Sequence, residues 1–181
     1  MTGVKIALTG KMRSGKDVAA DYLVNHFGFK RFAFGDAIRD ICKDLFPDAD
    51  RNGKPRELYQ ELGQAVRQVN PDVWVNHLLR QIELEAGPFD NIVISDLRQW
   101  NEYFALVKAG YRTGRIRSKE ITRIHRMKAL GEEVKLDQIR HRTERTVDKL
   151  AVDFEIVNEG SLHELYCMMD SVLLRFTKDV A

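Results

Sequence analysis

The sequence predicts an α/β domain built on a mainly parallel five-stranded sheet, and three observations lead there. Strand-like apolar runs alternate with helix-period segments from one end of the chain to the other. Residues 91–95 hold an unbroken Ile92-Val93-Ile94, which suits a parallel strand buried on both faces better than a half-exposed antiparallel one. A loop from Gly10 to Gly15 falls between the first strand and the first helix, where open α/β sheets place their ligands.

Taken in order, residues 4–9 form a short apolar strand that Gly10 ends, and Val18, Ala19, Tyr22 and Leu23 then recur at helical spacing. Residues 30–34 read as a second strand and 36–45 as a helix stopped by Pro47. Leu58, Leu62, Ala65, Val66 and Val69 line one face of a further helix. Asn70-Pro71-Asp72 restarts the chain with a cap, a proline at the first helical position and an early acid, and Gly87-Pro88 closes that helix. After the strand at 91–95, Trp100, Tyr103, Phe104 and Val107 mark a helix closed by Gly110. A weaker strand at 111–117 leads to helices expected near 119–130 and 136–149, and 154–157 is the last strand. Ser161 and Glu164 supply a capping box for a C-terminal helix carrying Leu162, Leu165, Met169, Val172, Leu173 and Phe176 on its core face.

The 181 residues are 44% hydrophobic and 31% charged, which a single folded domain satisfies and a disordered chain does not. No linker or repeat divides them, so one domain over 1–181 is expected. No apolar run approaches the roughly 18 residues needed to cross a bilayer, and residues 4–8 are too short for a signal peptide, so the chain reads as cytoplasmic with no membrane partner. Cys42 and Cys167 sit in helix-like apolar patterns and read as free core thiols. A net charge of +2 gives no general case for nucleic acid as a partner. Charge is nonetheless uneven: between Arg112 and Arg145 eleven Lys or Arg face five acids, a basic segment that is either a solvated helical face or a site for an anion.

Gly10-Lys11-Met12-Arg13-Ser14-Gly15-Lys16 matches G-x-x-x-x-G-K. In this pattern backbone N–H groups wrap phosphate oxygens at a helix N-terminus while the lysine reaches the β- and γ-phosphates. The next residue is Asp17, where the usual pattern carries Ser or Thr to hold Mg²⁺ by its hydroxyl; a carboxylate can bind Mg²⁺ directly or through water. Asp96, at the end of the strand at 91–95, is the second metal candidate, or else a turn residue. The five histidines show no close pair at metal-ligand spacing, and no G-x-S-x-G elbow occurs, which leaves neither a zinc site nor a serine nucleophile.

GKMRSGKD, FGDAIRDI, NPDVWV, VISDLRQWNE and DFEIVNEGSL together resemble the deoxynucleoside monophosphate kinases of phages and prophages, small P-loop kinases. The animal-type phosphomevalonate kinases are similar at SGKD, at SD-x-R and near the terminal N-E-G. The resemblance implies a three-layer P-loop kinase fold, a parallel sheet flanked by helices, with an acceptor-binding helical region over about 36–86 and a helical lid over about 118–146. It implies ATP and Mg²⁺ as cofactors, and phosphoryl transfer to a small phosphorylated acceptor such as a (deoxy)nucleoside monophosphate. ATP phosphates would lie on Gly10, Lys11, Met12, Arg13, Ser14, Gly15, Lys16, Asp17 and Val18. The acceptor would lie among Asp36, Arg39, Arg67, Trp74, Asp96 and Arg98. Arg117, Arg123 and Arg126 would stand at or in the lid, and Lys16, Arg98 and Arg126 would serve the transferring group.

The residues support the same roles by their own chemistry, because phosphoryl transfer needs two anionic groups held in line with cations offsetting the charge on oxygen. Arg39, Arg67 and Arg98, each near an element end, can bind phosphate bidentately or make structural ion pairs. Trp74 can stack on a base or join Val75, Leu78, Leu79 and Ile82 in a core stripe. Glu102 can bind an acceptor hydroxyl or lie exposed on its helix. Two other readings stay open: a kinase of another small phosphorylated metabolite such as phosphomevalonate, and a non-catalytic P-loop module that binds nucleotide or polyanion through residues 112–145. No feature of the sequence sets the base, the sugar or the oligomeric state.

Overall fold

A computed structural model of the chain describes residues 2–49, 55–132, 134 and 146–178. Five strands, β1 (Lys5–Thr9), β2 (Lys30–Phe32), β3 (Ile92–Leu97), β4 (Arg112–Arg117) and β5 (Phe154–Val157), form one sheet in the order β2-β3-β1-β4-β5. Every pairing is parallel, as the buried Ile92-Val93-Ile94 run required. Among the described residues seven helices connect and cover the strands: α1 (Lys16–Phe27), α2 (Phe34–Leu45), α3 (Arg56–Val69), α4 (Val73–Glu85), α5 (Trp100–Lys108), α6 (Glu120–Ala129) and α7 (Leu162–Lys178).

Strand alternation sorts the core into two layers. Ile6, Leu8, Val93, Ile116 and Ile156 pack on one face with Leu23 of α1 and Leu165 and Met169 of α7. Ala7, Ile92, Ile94 and Leu97 pack on the other with Ile38 of α2, Trp74 and Leu78 of α4, and Leu106 of α5. Helices thus lie on both sides of the sheet, and β1, at its centre, delivers the glycine loop to the carboxyl edge where the connections on either side diverge.

Element boundaries depart from the sequence reading where a side chain takes over a backbone group. β2 stops at Phe32 rather than 34 because Asp96 accepts the N–H groups of Phe34 (2.8 Å) and Gly35 (2.9 Å), starting α2 early. α4 begins at Val73, not at Pro71, since Asn70 Oδ1 accepts the Asp72 N–H at 3.0 Å and folds 70–72 into a turn. β3 continues to Leu97, which stands opposite Thr9 beyond a register shift in β1, so Asp96 lies inside the strand end. At α7 the Glu164 N–H donates to Ser161 Oγ at 3.2 Å, as a capping Ser should arrange. Cys42 is buried as expected; Cys167 is exposed, with Sγ 3.6 Å from His163 Nε2. Most of the helix expected at 136–149 lies outside the described residues, as does much of the segment 118–146. Among the described residues no helix is long and apolar enough to cross a membrane.

Candidate active site

The loop from Gly10 to Gly15 owes its path to three unusual backbone positions. Gly10 has φ 156° and Gly15 φ 100°, and a Cβ on Gly15 would lie 2.2 Å from Asn158 Nδ2. Arg13, between them, adopts φ 62°, a value that few non-glycine residues hold. Ser14 N–H bonds to Lys11 O at 3.0 Å, tightening the turn, and α1 starts directly after Gly15. Its first N–H groups therefore open onto the loop. The Ser14 hydroxyl is buried without a partner among the described residues.

Lys16, 6% exposed, is held against Asp17 with Nζ 2.8 Å from Oδ2. Asp17 Oδ1 accepts Arg31 Nη2 at 2.8 Å, and Arg31 also bonds Ser95 Oγ at 3.0 Å and pairs with Asp21. Burial works against the charged form of Asp17. The Lys16, Arg31 and Arg98 charges outweigh it and hold the carboxyl below the usual range.

A cavity of about 550 Å³ opens beside these residues. Met12, Arg13, Lys16 and Asp17 line it at the loop, Asp36 and Arg39 on α2, Arg56, Gln60, Gln64 and Arg67 on α3, and Asp96, Arg98 and Glu102 at the end of β3 and on α5. Arg39 pairs with Asp36, and Arg67 Nη2 stands 3.1 Å from Glu102 Oε1, so both make the ion pairs that were the alternative to phosphate binding while still facing the cavity. Glu102 is not the exposed helix acid its position suggested. It is 2% exposed and accepts the N–H groups of Arg98 (2.9 Å) and Gln99 (3.0 Å), closing a capping box on α5. Burial first, then the Asp96 charge, push its pKa upward against those N–H groups and Arg67.

Two expected site residues lie elsewhere. Trp74 is in the core, 4% exposed, its indole N–H bonded to Gly63 O at 3.0 Å, and it does not line the cavity. Arg126 does not line this cavity either; its guanidinium bonds the carbonyls of Arg13 (3.2 Å), Ser14 (3.3 Å) and Asn158 (3.1 Å). Arg123, 3% exposed, reaches Met12 O at 3.2 Å, and Arg117 is exposed and pairs with Glu155. On the far side of the loop, Gly10, Lys11, Arg117 and Arg123 border a second cavity of about 450 Å³. The described arginines of the basic segment from 115 to 126 are thus engaged within the chain; Arg115 holds Val147 O, Leu150 O and Glu155.

Sequence reasoning missed Arg31, Arg56, Glu132 and Asn158. Glu132 pairs with both Arg13 and Arg56, joining the loop, α3 and the exit of α6. None of the four sits in a motif that spacing alone identifies. Asn158 does lie in the N-E-G stretch already noted near the C-terminus.

A family model for the AAA domain, AAA_18, matches residues 6–148. The chain belongs to the AAA_18 family. The AAA_18 match runs from β1 through the phosphate loop and both arginine-lined cavities to Asp148, taking in most residues described above. Uncharacterized protein ORF77 of Ictalurid herpesvirus 1 (strain Auburn) is 27% identical over 161 residues, 88% of this chain and 66% of that protein. A protein of Acanthamoeba polyphaga mimivirus, named "Putative deoxynucleotide monophosphate kinase", is 28% identical over 127 residues, 55% of this chain and 66% of its own length. The chain thus spans about two thirds of the length of these curated relatives.

Solved structures share the fold. TT1252 from Thermus thermophilus superposes with a TM-score of 0.57 at 19% identity, over 97% of this chain and 98% of its own. A sugar kinase from Janibacter sp. HTCC2649 gives 0.57 at 14% identity (91% and 90%), and shikimate kinase from Aquifex aeolicus 0.50 at 18% (98% of each). This AAA_18 member therefore shares its fold, a five-stranded parallel sheet flanked by helices, with these solved structures, two of which are kinases.

Proposed function

We propose that the chain transfers the γ-phosphoryl group of ATP to a (deoxy)nucleoside monophosphate, giving the diphosphate and ADP. One observation carries this reading: a single cavity joins the phosphate-loop lysine to arginines from α2, α3 and the end of β3. An acceptor phosphate oxygen would bond to the γ-phosphorus as the bond to the bridging oxygen breaks, and ADP would leave with that oxygen. The acceptor oxygen is anionic at neutral pH, so the step asks little of a general base and much of cations that bring two anions together. Lys16 would serve the donor phosphates, Arg39 and Arg67 the acceptor phosphate, and Arg98 the group in transit. Residues 36–86 would bind the acceptor, and 118–146 would act as a lid.

The donor set suits Mg²⁺. Asp17 stays ionised beside the loop, and Asp96 keeps lone pairs beyond those given to Phe34 and Gly35. No group of three or more His, Cys, Asp or Glu is placed for a metal among the described residues, which agrees with an ion bound by one or two carboxylates and the substrate phosphates. When bound, Mg²⁺ would neutralise charge on the phosphate oxygens.

The name of the mimivirus relative supports a deoxynucleotide acceptor, and the engagement of Arg115, Arg123 and Arg126 within the chain speaks against a free polyanion stripe. A panel of nucleoside and deoxynucleoside monophosphates, phosphomevalonate and other phosphorylated metabolites, read as ADP release, tests the proposal. Stimulation by a nucleotide is the expected result; stimulation by phosphomevalonate alone would replace it.

A further inference from the structure

We propose that Arg126 is a positioning residue that acts through the phosphate loop: together with Asn158 it holds the loop's carbonyl groups outward, so that the anion-binding face is formed before nucleotide arrives. The proposal rests on the reading of this loop as a polyphosphate site and is independent of which acceptor the chain uses.

Three consecutive loop carbonyls receive side-chain donors from beyond β4. Met12 O accepts Arg123 Nη1 at 3.2 Å, and Arg13 O accepts Arg126 Nη1 at 3.2 Å. Ser14 O accepts Asn158 Nδ2 at 2.9 Å and Arg126 Nη1 at 3.3 Å, with Ser118 Oγ 3.1 Å away. The donors are tied to one another, because Asn158 O accepts Ser118 Oγ at 2.6 Å and Arg126 Nη2 at 3.1 Å. Asn158 is 5% exposed and Arg123 3%, so these side chains are fixed by packing as well as by hydrogen bonds.

Because the trans peptide is planar, its N–H points opposite its C=O. Fixing the carbonyls of Met12 and Ser14 outward therefore fixes the N–H groups of Arg13 and Gly15 inward, while the Ser14 N–H, on the peptide of the Arg13 carbonyl, closes the turn onto Lys11 O. Guanidinium on the carbonyl side also polarises each peptide and makes its N–H end a better anion donor. The bracing accounts for two features of the loop itself. Arg13 is held at φ 62°, a conformation that persists only where its surroundings impose it, and Gly15 has no room for a Cβ because Asn158 occupies the space.

The test is calorimetric binding of a non-hydrolysable ATP analogue to Arg126→Gln, Arg126→Lys, Asn158→Ala and the Arg126→Gln/Asn158→Ala double variant, with KM for ATP and for the acceptor. Arg126→Gln and Asn158→Ala should each weaken analogue binding by about tenfold or more and raise KM for ATP, while KM for the acceptor stays within about twofold. The double variant should lose less than the product of the two, since both act on the Ser14 carbonyl, and Arg126→Lys should recover part of the loss. Ser118→Ala, which removes the hydroxyl that accepts Arg126 Nη1 at 3.0 Å and donates to Asn158 O, should shift KM for ATP the same way even if Asn158→Ala fails to fold. A fall in kcat alone on changing Arg126, with Ser118→Ala and Asn158→Ala silent, would overturn the proposal and place Arg126 on the reacting group. Wild-type protein that bound no ATP analogue would overturn the polyphosphate reading of the loop, and the brace's role with it.

Discussion

Glu102 Oε1 stands 3.1 Å from Arg67 Nη2, tying α5 to α3 across the floor of the larger cavity with the carboxylate side chain only 3% exposed. Removing one partner of a buried pair strands the other charge, so Glu102→Ala should lower folding stability by about 3 kcal/mol or more in denaturant titration. The pH dependence has a definite sign. A carboxyl whose pKa is raised on folding binds more protons in the native state than unfolded. Stability should therefore fall as pH climbs above the ordinary glutamate value of 4.5 toward the raised one, a slope that Glu102→Gln removes.

Lys16→Ala should leave the fold intact and abolish transfer, because the lysine offsets charge that grows on the donor phosphate oxygens. A contact of that kind contributes on the order of 3 kcal/mol to lowering the barrier. Steady-state turnover beside a thermal melt checks both halves of the expectation.

Asp17→Asn should raise the Mg²⁺ concentration for half-maximal rate while metal-free ATP binds as well or better. The carboxyl is held ionised beside Lys16 and Arg31, so without metal it repels polyphosphate and with metal it is a ligand. An unchanged Mg²⁺ requirement would move the metal to Asp96.

Gly114 of β4 lies opposite Phe154 of β5, and a Cβ there would fall 2.0 Å from the ring. Gly114→Ala should destabilise the protein by about 1–3 kcal/mol through overpacking. Phe154→Leu in that background should recover part of the loss, which urea unfolding of the single and double variants would measure.

The strands and the phosphate loop were legible because their signals are local. Ile92-Val93-Ile94 announces a buried strand by composition, and Gly10 to Lys16 announces a phosphate cradle by spacing. What the sequence hid depends on contacts between distant residues. Asn158 bonds a carbonyl 144 positions away, and nothing around it marks that partner. Arg126 reads as one basic residue in a basic segment, yet its guanidinium is turned onto backbone carbonyls. Trp74 fits a core stripe better than a base-stacking role by its spacing, and at 4% exposed, with its indole N–H on Gly63 O, it lies in the core. Glu102 has helix-surface spacing, but the capping of α5 turns it inward onto Arg67.

Transfer of label from γ-labelled ATP to a deoxynucleoside monophosphate, with Mg²⁺ present and the products separated, tests the central claim most directly. Label should appear in the deoxynucleoside diphosphate with wild-type protein and fall by on the order of 10²-fold or more with Lys16→Ala. Label that passed only to water, or to a phosphorylated metabolite and to no nucleotide, would contradict it.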